Sequence, residues 1–124
     1  MVLVDTSVWV DHLRKGDPAL AALLESDAVL AHPMVIGEIA CGSLRDRVLV
    51  LGLLDSLPAA TVAQTHEVLS FIDQKHLFGK GIGFIDAHLL ASTALGDASV
   101  LWTRDKRLLA VAHDLGLAHE TSSH

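Results

Sequence analysis

Short unbroken runs of aliphatic residues alternate along this chain with longer stretches in which apolar positions recur at helical spacing. Val2 to Val4 is the first run. It stops abruptly at Asp5, and the mixed stretch from there to Arg14 predicts a buried strand followed by a helix that begins at the carboxylate. Asp17 and Pro18 supply an N-cap and a first-turn proline for a second helix through Glu25, and Ala28 to Ala31 reads as a second strand. Pro33 opens a third helix to Cys41, with Val35, Ile36, Ile39 and Ala40 at helical spacing, Glu38 in its middle and Gly42 as its stop.

Arg45 to Leu54 and Val62 to Lys75 predict two further helices, with Pro58 and a short strand near Ala60 between them. Gly79, Gly81 and Gly83 lead into a helix from Phe84 to Leu95 that carries Asp86 in its first turn and ends at Gly96 and Asp97. Ser99 to Thr103 predicts a strand, Asp105 to Leu115 a helix of basic and apolar residues, and Gly116 with Leu117 the start of a last strand. Strands alternating with helices imply a mainly parallel central sheet covered on both faces, a three-layer α/β/α sandwich of the α/β class. Working sites in such sheets lie beyond the carboxyl ends of the strands, where strand order reverses. Asp5 and Asp105 are both expected at that edge.

With 124 residues, 51% of them hydrophobic and 19% charged, the chain has the size and aliphatic content of one domain. That domain is expected over residues 1–120, with 121–124 as a tail. A chain of this length buries enough surface to need neither disulfides nor a structural metal, so any metal serves function. The lone Cys41 can form no internal disulfide, no leader of basic, apolar and small residues opens the chain, and no apolar stretch approaches the roughly 20 residues of a membrane span. These features favour a cytoplasmic protein without a membrane partner. A net charge of −6 argues against nonspecific adhesion to nucleic acid. Bound cations reverse that sign locally, however, and a set of acidic metal ligands would itself contribute to the imbalance.

The carboxylates carry the candidate chemistry. Asp5 alone reads equally well as a helix N-cap. Glu38 interrupts an apolar run, and Asp86 follows Ile85 at a helix start, so both break the local pattern where a structural residue would serve. Carboxylates about 4 Å apart repel by about 4 kcal/mol at an effective dielectric near 20, and a hard divalent cation relieves that cost. No His-x-x-x-His or Cys-x-x-Cys spacing marks a zinc site. All-oxygen ligands suit Mg2+, or Mn2+ in its place, whose usual task beside carboxylates is phosphoryl chemistry with an activated water. Ser7 and Thr103 stand near acidic residues, where each hydroxyl either orients a ligand or caps a helix.

Val-Asp-Thr-Ser at 4–7, Glu38 in a helix closed by Gly42, Phe-Ile-Asp-Ala at 84–87 and Thr-Arg-Asp at 103–105 together resemble the ordered motifs of PIN domains. The short length and the Asp-Thr-Ser start more narrowly resemble VapC-type toxins, ribonucleases restrained by a VapB-type antitoxin. The resemblance implies that Asp5, Asp86 and Asp105 hold metal, that Glu38 is a ligand or helps activate the nucleophile, and that Ser7 and Thr103 are supporting hydroxyls. It further implies an RNA substrate, a cognate antitoxin and a homodimer.

Around this set, Arg104 and Arg107 are candidate contacts to RNA phosphates, with a solvated helix face as the alternative, which is preferred for Lys106. Gly79-Lys80-Gly81 lacks the spacing of a P-loop and reads as a flexible loop. Trp102 and Cys41 are expected in the core, Trp9 at a dimer or antitoxin contact, and His88 as an ordinary helix residue. A phosphoacceptor receiver domain would need paired acidic residues after the first strand, and a haloacid-dehalogenase-type phosphatase would need Asp-x-Asp where Ser7 stands. A PIN fold that binds without cutting is a third alternative, opposed by the presence of all four acidic residues.

Overall fold

In the computed structural model, which describes residues 1–120, β1 (Val2–Val4), β2 (Val29–Leu30) and β3 (Val100–Trp102) form a parallel sheet in the order β2-β1-β3. The expected tail at 121–124 lies outside the described residues. Val2 stands opposite Val29 and Val100, Leu3 opposite Leu30 and Leu101, and Val4 opposite Trp102. Single parallel bridges, Ala31 to Ala59 and Leu101 to Ala118, extend the sheet at its two edges. These are the strands expected near Ala60 and Leu117, each reduced to one residue pair held by two backbone hydrogen bonds.

Among the described residues seven helices cover the sheet: α1 (Thr6–Lys15), α2 (Pro18–Glu25), α3 (Pro33–Ala40), α4 (Arg47–Ser56), α5 (Thr65–Gln74), α6 (Phe84–Leu95) and α7 (Lys106–Asp114). Helix α1 packs on α3 and α3 on α4, while α5 packs on α6 and α6 against β3. The result is the expected three-layer α/β/α sandwich. Leu3 and Val4 of the central strand are fully buried, together with Leu20, Val35, Leu89, Leu90, Leu101 and Leu108 from the surrounding elements. A smaller apolar cluster of Ala63, Val68, Ala87 and Ala91 seals α5 to α6.

Helix α5 begins three residues later than the expected Val62. Gln64 takes the N-cap position, and its backbone N–H donates to the Glu67 carboxylate at 2.9 Å, a start signal the apolar spacing alone does not reveal. Two placements differ in kind. Trp9, expected at a partner surface, is only 5% exposed and belongs to the main core, because α1 turns Val8 and Trp9 together toward the sheet. Cys41, expected in the core, is exposed at the C-cap of α3, where the helix has already left the packed layer. Trp102 is buried as expected.

Because β1 lies between β2 and β3, the chain leaves it toward one neighbour and returns on the other side. The carboxyl end of β1 is therefore the point where strand order reverses. Asp5 is the first residue past that end, and its N–H donates to the Trp102 carbonyl of β3 at 2.9 Å.

Candidate active site

Asp5 occupies the N-cap position of α1, but its side chain makes no capping hydrogen bond, so the ordinary explanation for an aspartate there does not account for its carboxylate. The carboxylate is buried, and one oxygen, Oδ2, accepts from two hydroxyls: Thr103 Oγ1 at 2.7 Å and Ser7 Oγ at 2.9 Å. Each hydroxyl also accepts a backbone N–H, Ser7 from Arg104 at 3.0 Å and Thr103 from Asp105 at 3.1 Å. With its proton aimed at Asp5 and its lone pair used by an amide, each is fixed in role. The network ties the end of β1 to the β3–α7 corner.

The other three carboxylates are anchored in the same one-sided manner. Thr6 Oγ1 donates to Glu38 Oε1 at 2.7 Å, the Gly83 N–H donates to Asp86 Oδ2 at 3.1 Å, and the Leu108 N–H donates to Asp105 Oδ1 at 3.0 Å. Among the described residues no donor reaches the second oxygen of Asp5, Glu38, Asp86 or Asp105, and none of the four pairs with a Lys, Arg or His. Asp5 is buried, Asp86 partly so, and Glu38 and Asp105 are exposed, so the apolar pattern around Glu38 does not bury it. Helix α3 simply turns that residue outward between Val35 and Ile39.

The four share one electrostatic field. Burial pushes the Asp86 carboxyl above its ordinary value, and the negative charges of Asp5, Asp105 and Glu38 push the same way, against the Gly83 N–H. Among the described residues no three His, Cys, Asp or Glu side chains already stand together as a closed cation-holding group. The donor chemistry nevertheless fits a hard divalent cation: four carboxylates, each with one oxygen tethered and one free of protein donors, and repulsion that a cation would relieve.

The candidate basic residues divide. Arg104 is committed elsewhere, its Nε 3.0 Å from Asp11 Oδ2 and its Nη2 bonded to Asp17 Oδ2, with its guanidinium carbon 5.9 Å from the Trp102 ring centroid. Although burial raises the Asp17 pKa, the N–H groups of Leu20 and Ala19 together with Arg104 bring it below the ordinary value. Arg107 is exposed and lies against Gly81, where an added Cβ would stand 2.8 Å from Arg107 Cδ and 2.9 Å from Nη1. Lys106 is exposed and, among the described residues, has no ion-pair partner, as a solvated face requires.

Sequence reasoning missed Thr6, Asp11 and the pairing of Asp17. Thr6 lies inside the Asp-Thr-Ser motif that flags its neighbours, so proximity to Asp5 could have found it; Asp17 caps α2 as expected, but its pairing with Arg104, like that of Asp11, has no local signal because Arg104 is remote in sequence. His88 is a residue of α6, as expected. It is 4% exposed, packs edge-on against His32 with ring centroids 5.1 Å apart, and has a buried Nδ1 without a partner among the described residues.

Comparison with known proteins identifies the family. The chain is 48% identical over 118 residues to Ribonuclease VapC32 of Mycobacterium tuberculosis, in strains CDC 1551 / Oshkosh and ATCC 25618 / H37Rv, covering 95% of this chain and 95% of each relative. The PIN domain family matches residues 2–114, a span holding all four carboxylates and both supporting hydroxyls. The chain belongs to the PIN-domain family, on its VapC-type branch.

Proposed function

We infer that this protein is a metal-dependent endoribonuclease, the toxin of a VapBC-type toxin–antitoxin pair. The observation that carries the reading is the state of Asp5: at the reversal point of the sheet, buried, excused from capping its helix, and held on one oxygen by two hydroxyls while the other stays free. Ribonuclease VapC32, nearly half identical over almost the whole chain, supports RNA as the polymer.

In this reading Asp5, Asp86 and Asp105 hold Mg2+, or Mn2+ in its place, and Glu38 joins them as a ligand or through water. A divalent cation bound there supplies Lewis acidity toward water and phosphate. The chain's own groups do the rest. Thr103 and Ser7 keep the free oxygen of Asp5 aimed outward. Glu38, tethered to Thr6 by one oxygen, has its other oxygen to accept the proton of the attacking water. Arg107, beside the site on the first turn of α7, offsets phosphate charge; Arg104 does so only by leaving Asp11 and Asp17. The partners are RNA, a VapB-type antitoxin and a second copy of the chain. The apolar outer face of α4, with Val48 88%, Leu49 63% and Leu53 58% exposed, supports a protein partner. No helix among the described residues is long and apolar enough to cross a membrane, in keeping with work in the cytoplasm.

Cleavage of single-stranded RNA by the purified chain tests the reading. Asp5→Asn and Asp86→Asn are expected to abolish it with the fold retained, since an amide oxygen still accepts the Thr103, Ser7 or Gly83 hydrogen bonds. EDTA should stop cleavage, and Mg2+ or Mn2+ restore it. Equal cleavage by parent and variants, or restoration by zinc alone, would overturn it.

A further inference from the structure

The chain has few aromatic residues, three Phe and two Trp with no Tyr. Trp9 and Trp102 are buried and Phe71 partly so, while Phe78 is 63% and Phe84 45% exposed. Both exposed rings flank the same glycine loop, and both line one cleft of about 220 Å³ whose floor is Ile72, Leu77, Ile82 and Ala87. Exposing two large apolar rings on one cleft is unfavourable unless something covers them.

The cleft adjoins the candidate active site through Gly83. Gly83 and Phe84 line it, and the Gly83 N–H is the donor that anchors Asp86. Leu77, at the start of the loop, is buried in the main core, Gly79 and Gly81 adopt φ of +72° and +80°, and Arg107 lies across Gly81. Lys75 and Lys80 are exposed on the same segment, and none of Lys75, Lys80 and Arg107 has an ion-pair partner among the described residues.

Building on the ribonuclease reading, we propose that the Phe78–Phe84 cleft receives a nucleobase of single-stranded RNA next to the phosphate that is cut. A nucleotide matches this arrangement part by part: a flat apolar face for the two rings, backbone phosphates for the unpaired cations, and a phosphodiester led to the carboxylates. The volume is below the roughly 300–1,000 Å³ of drug-sized pockets, as suits one base. The lining residues carry no polar side chain, so the cleft grips a base by its face and tolerates any of the four.

The test uses the full chain carrying Asp5→Asn, with Mg2+, and a single-stranded RNA that the parent cleaves. 2-Aminopurine is placed at one position at a time to locate the stacked base, and an abasic nucleotide then replaces it. Removing that base should weaken binding about 10- to 100-fold, the range of one base stacked on aromatic side chains. Phe78→Leu with Phe84→Leu should weaken the intact RNA by a similar factor, leave the abasic RNA little changed and leave the thermal midpoint near that of the parent; Trp at both positions should restore binding. Unchanged RNA affinity in the Leu pair, with the parent still cutting, overturns the cleft and leaves the nuclease reading standing. So does unchanged RNA affinity with lost self-association or lost antitoxin binding, which would make the cleft a protein interface. A parent that neither cuts nor binds RNA overturns both.

Discussion

His32 is fully buried and wired in one protonation state, which should make the protein progressively less stable in mild acid. Its Nδ1 accepts the Met34 N–H at 3.1 Å, so that nitrogen carries no proton; the neutral ring then bears its proton on Nε2, 2.9 Å from Ser92 Oγ, which also accepts the Ala63 N–H. A second proton would turn Nδ1 into a donor facing another donor, beside the ring of His88. Burial, followed by the influence of His88, lowers the His32 pKa from 6.5 to about 4. The sign follows from linkage. Below pH 6.5 the unfolded chain takes up a proton that the fold refuses until about pH 4, so stability falls through that window as pH falls and levels off beneath it. At about 1.4 kcal/mol per pH unit the full loss is about 3 kcal/mol, with about 2 kcal/mol gone by pH 5. His32→Asn retains an oxygen that can cap Met34 and removes the titrating ring, so it should be less stable than the parent at pH 7.5 because of lost packing. Urea unfolding of both chains at pH 7.5, 6 and 5 measures the gap. It should narrow by about 2 kcal/mol between pH 7.5 and 5; parallel profiles would refute the buried neutral imidazole.

Thr103→Val removes the hydroxyl that donates to Asp5 and accepts the Asp105 N–H, and should cost about 1–3 kcal/mol of stability along with most cleavage, while Thr103→Ser keeps both. Urea unfolding and RNA cleavage of the two variants check this, and a harmless Val would refute the positioning role. Asp86→Asn in EDTA should unfold at higher urea than the parent, because burial and the charges of Asp5, Asp105 and Glu38 disfavour an ionised residue 86 at neutral pH. The sign should reverse in saturating Mg2+, which stabilises only the chain with the full set of ligands.

The placement of three carboxylates was legible in the sequence because each breaks a pattern: Asp5 ends an aliphatic run, Asp86 opens a helix after glycines, and Asp105 follows a strand. Their hydrogen bonds were less legible. A run such as Asp-Thr-Ser places two hydroxyls near a carboxylate, but only the pairing of β1 with β3 decides that Ser7 and Thr103 share Asp5 while Thr6 turns to Glu38. Trp9 was misplaced for a similar reason: helical spacing identifies an apolar face without saying what covers it. The stretch Gly79-Lys80-Gly81 read as a loop, and it lies between helices in the structure; that Arg107 of another element lies against Gly81 is information absent from either stretch alone.

The neutral character of the groups that hold Asp5 bears on why the site can work. A buried carboxylate must be compensated, and a guanidinium would do so at the expense of the charge needed to draw in a cation. Among the described residues two hydroxyls and no cation hold Asp5 instead, so its negative charge is not neutralised by them. Arg104 is the residue best placed to spoil this, since it sits between Thr103 and Asp105, and its backbone N–H already reaches Ser7. Asp11 and Asp17 draw its side chain away, and Trp102 lies beside it. With Asp11 and Asp17 taking up its guanidinium, Arg104 makes no ion pair with Asp5 or Asp105 among the described residues, and under the proposed function a net charge of −6 that first argues against a polyanion as substrate is consistent with carboxylates kept for metal.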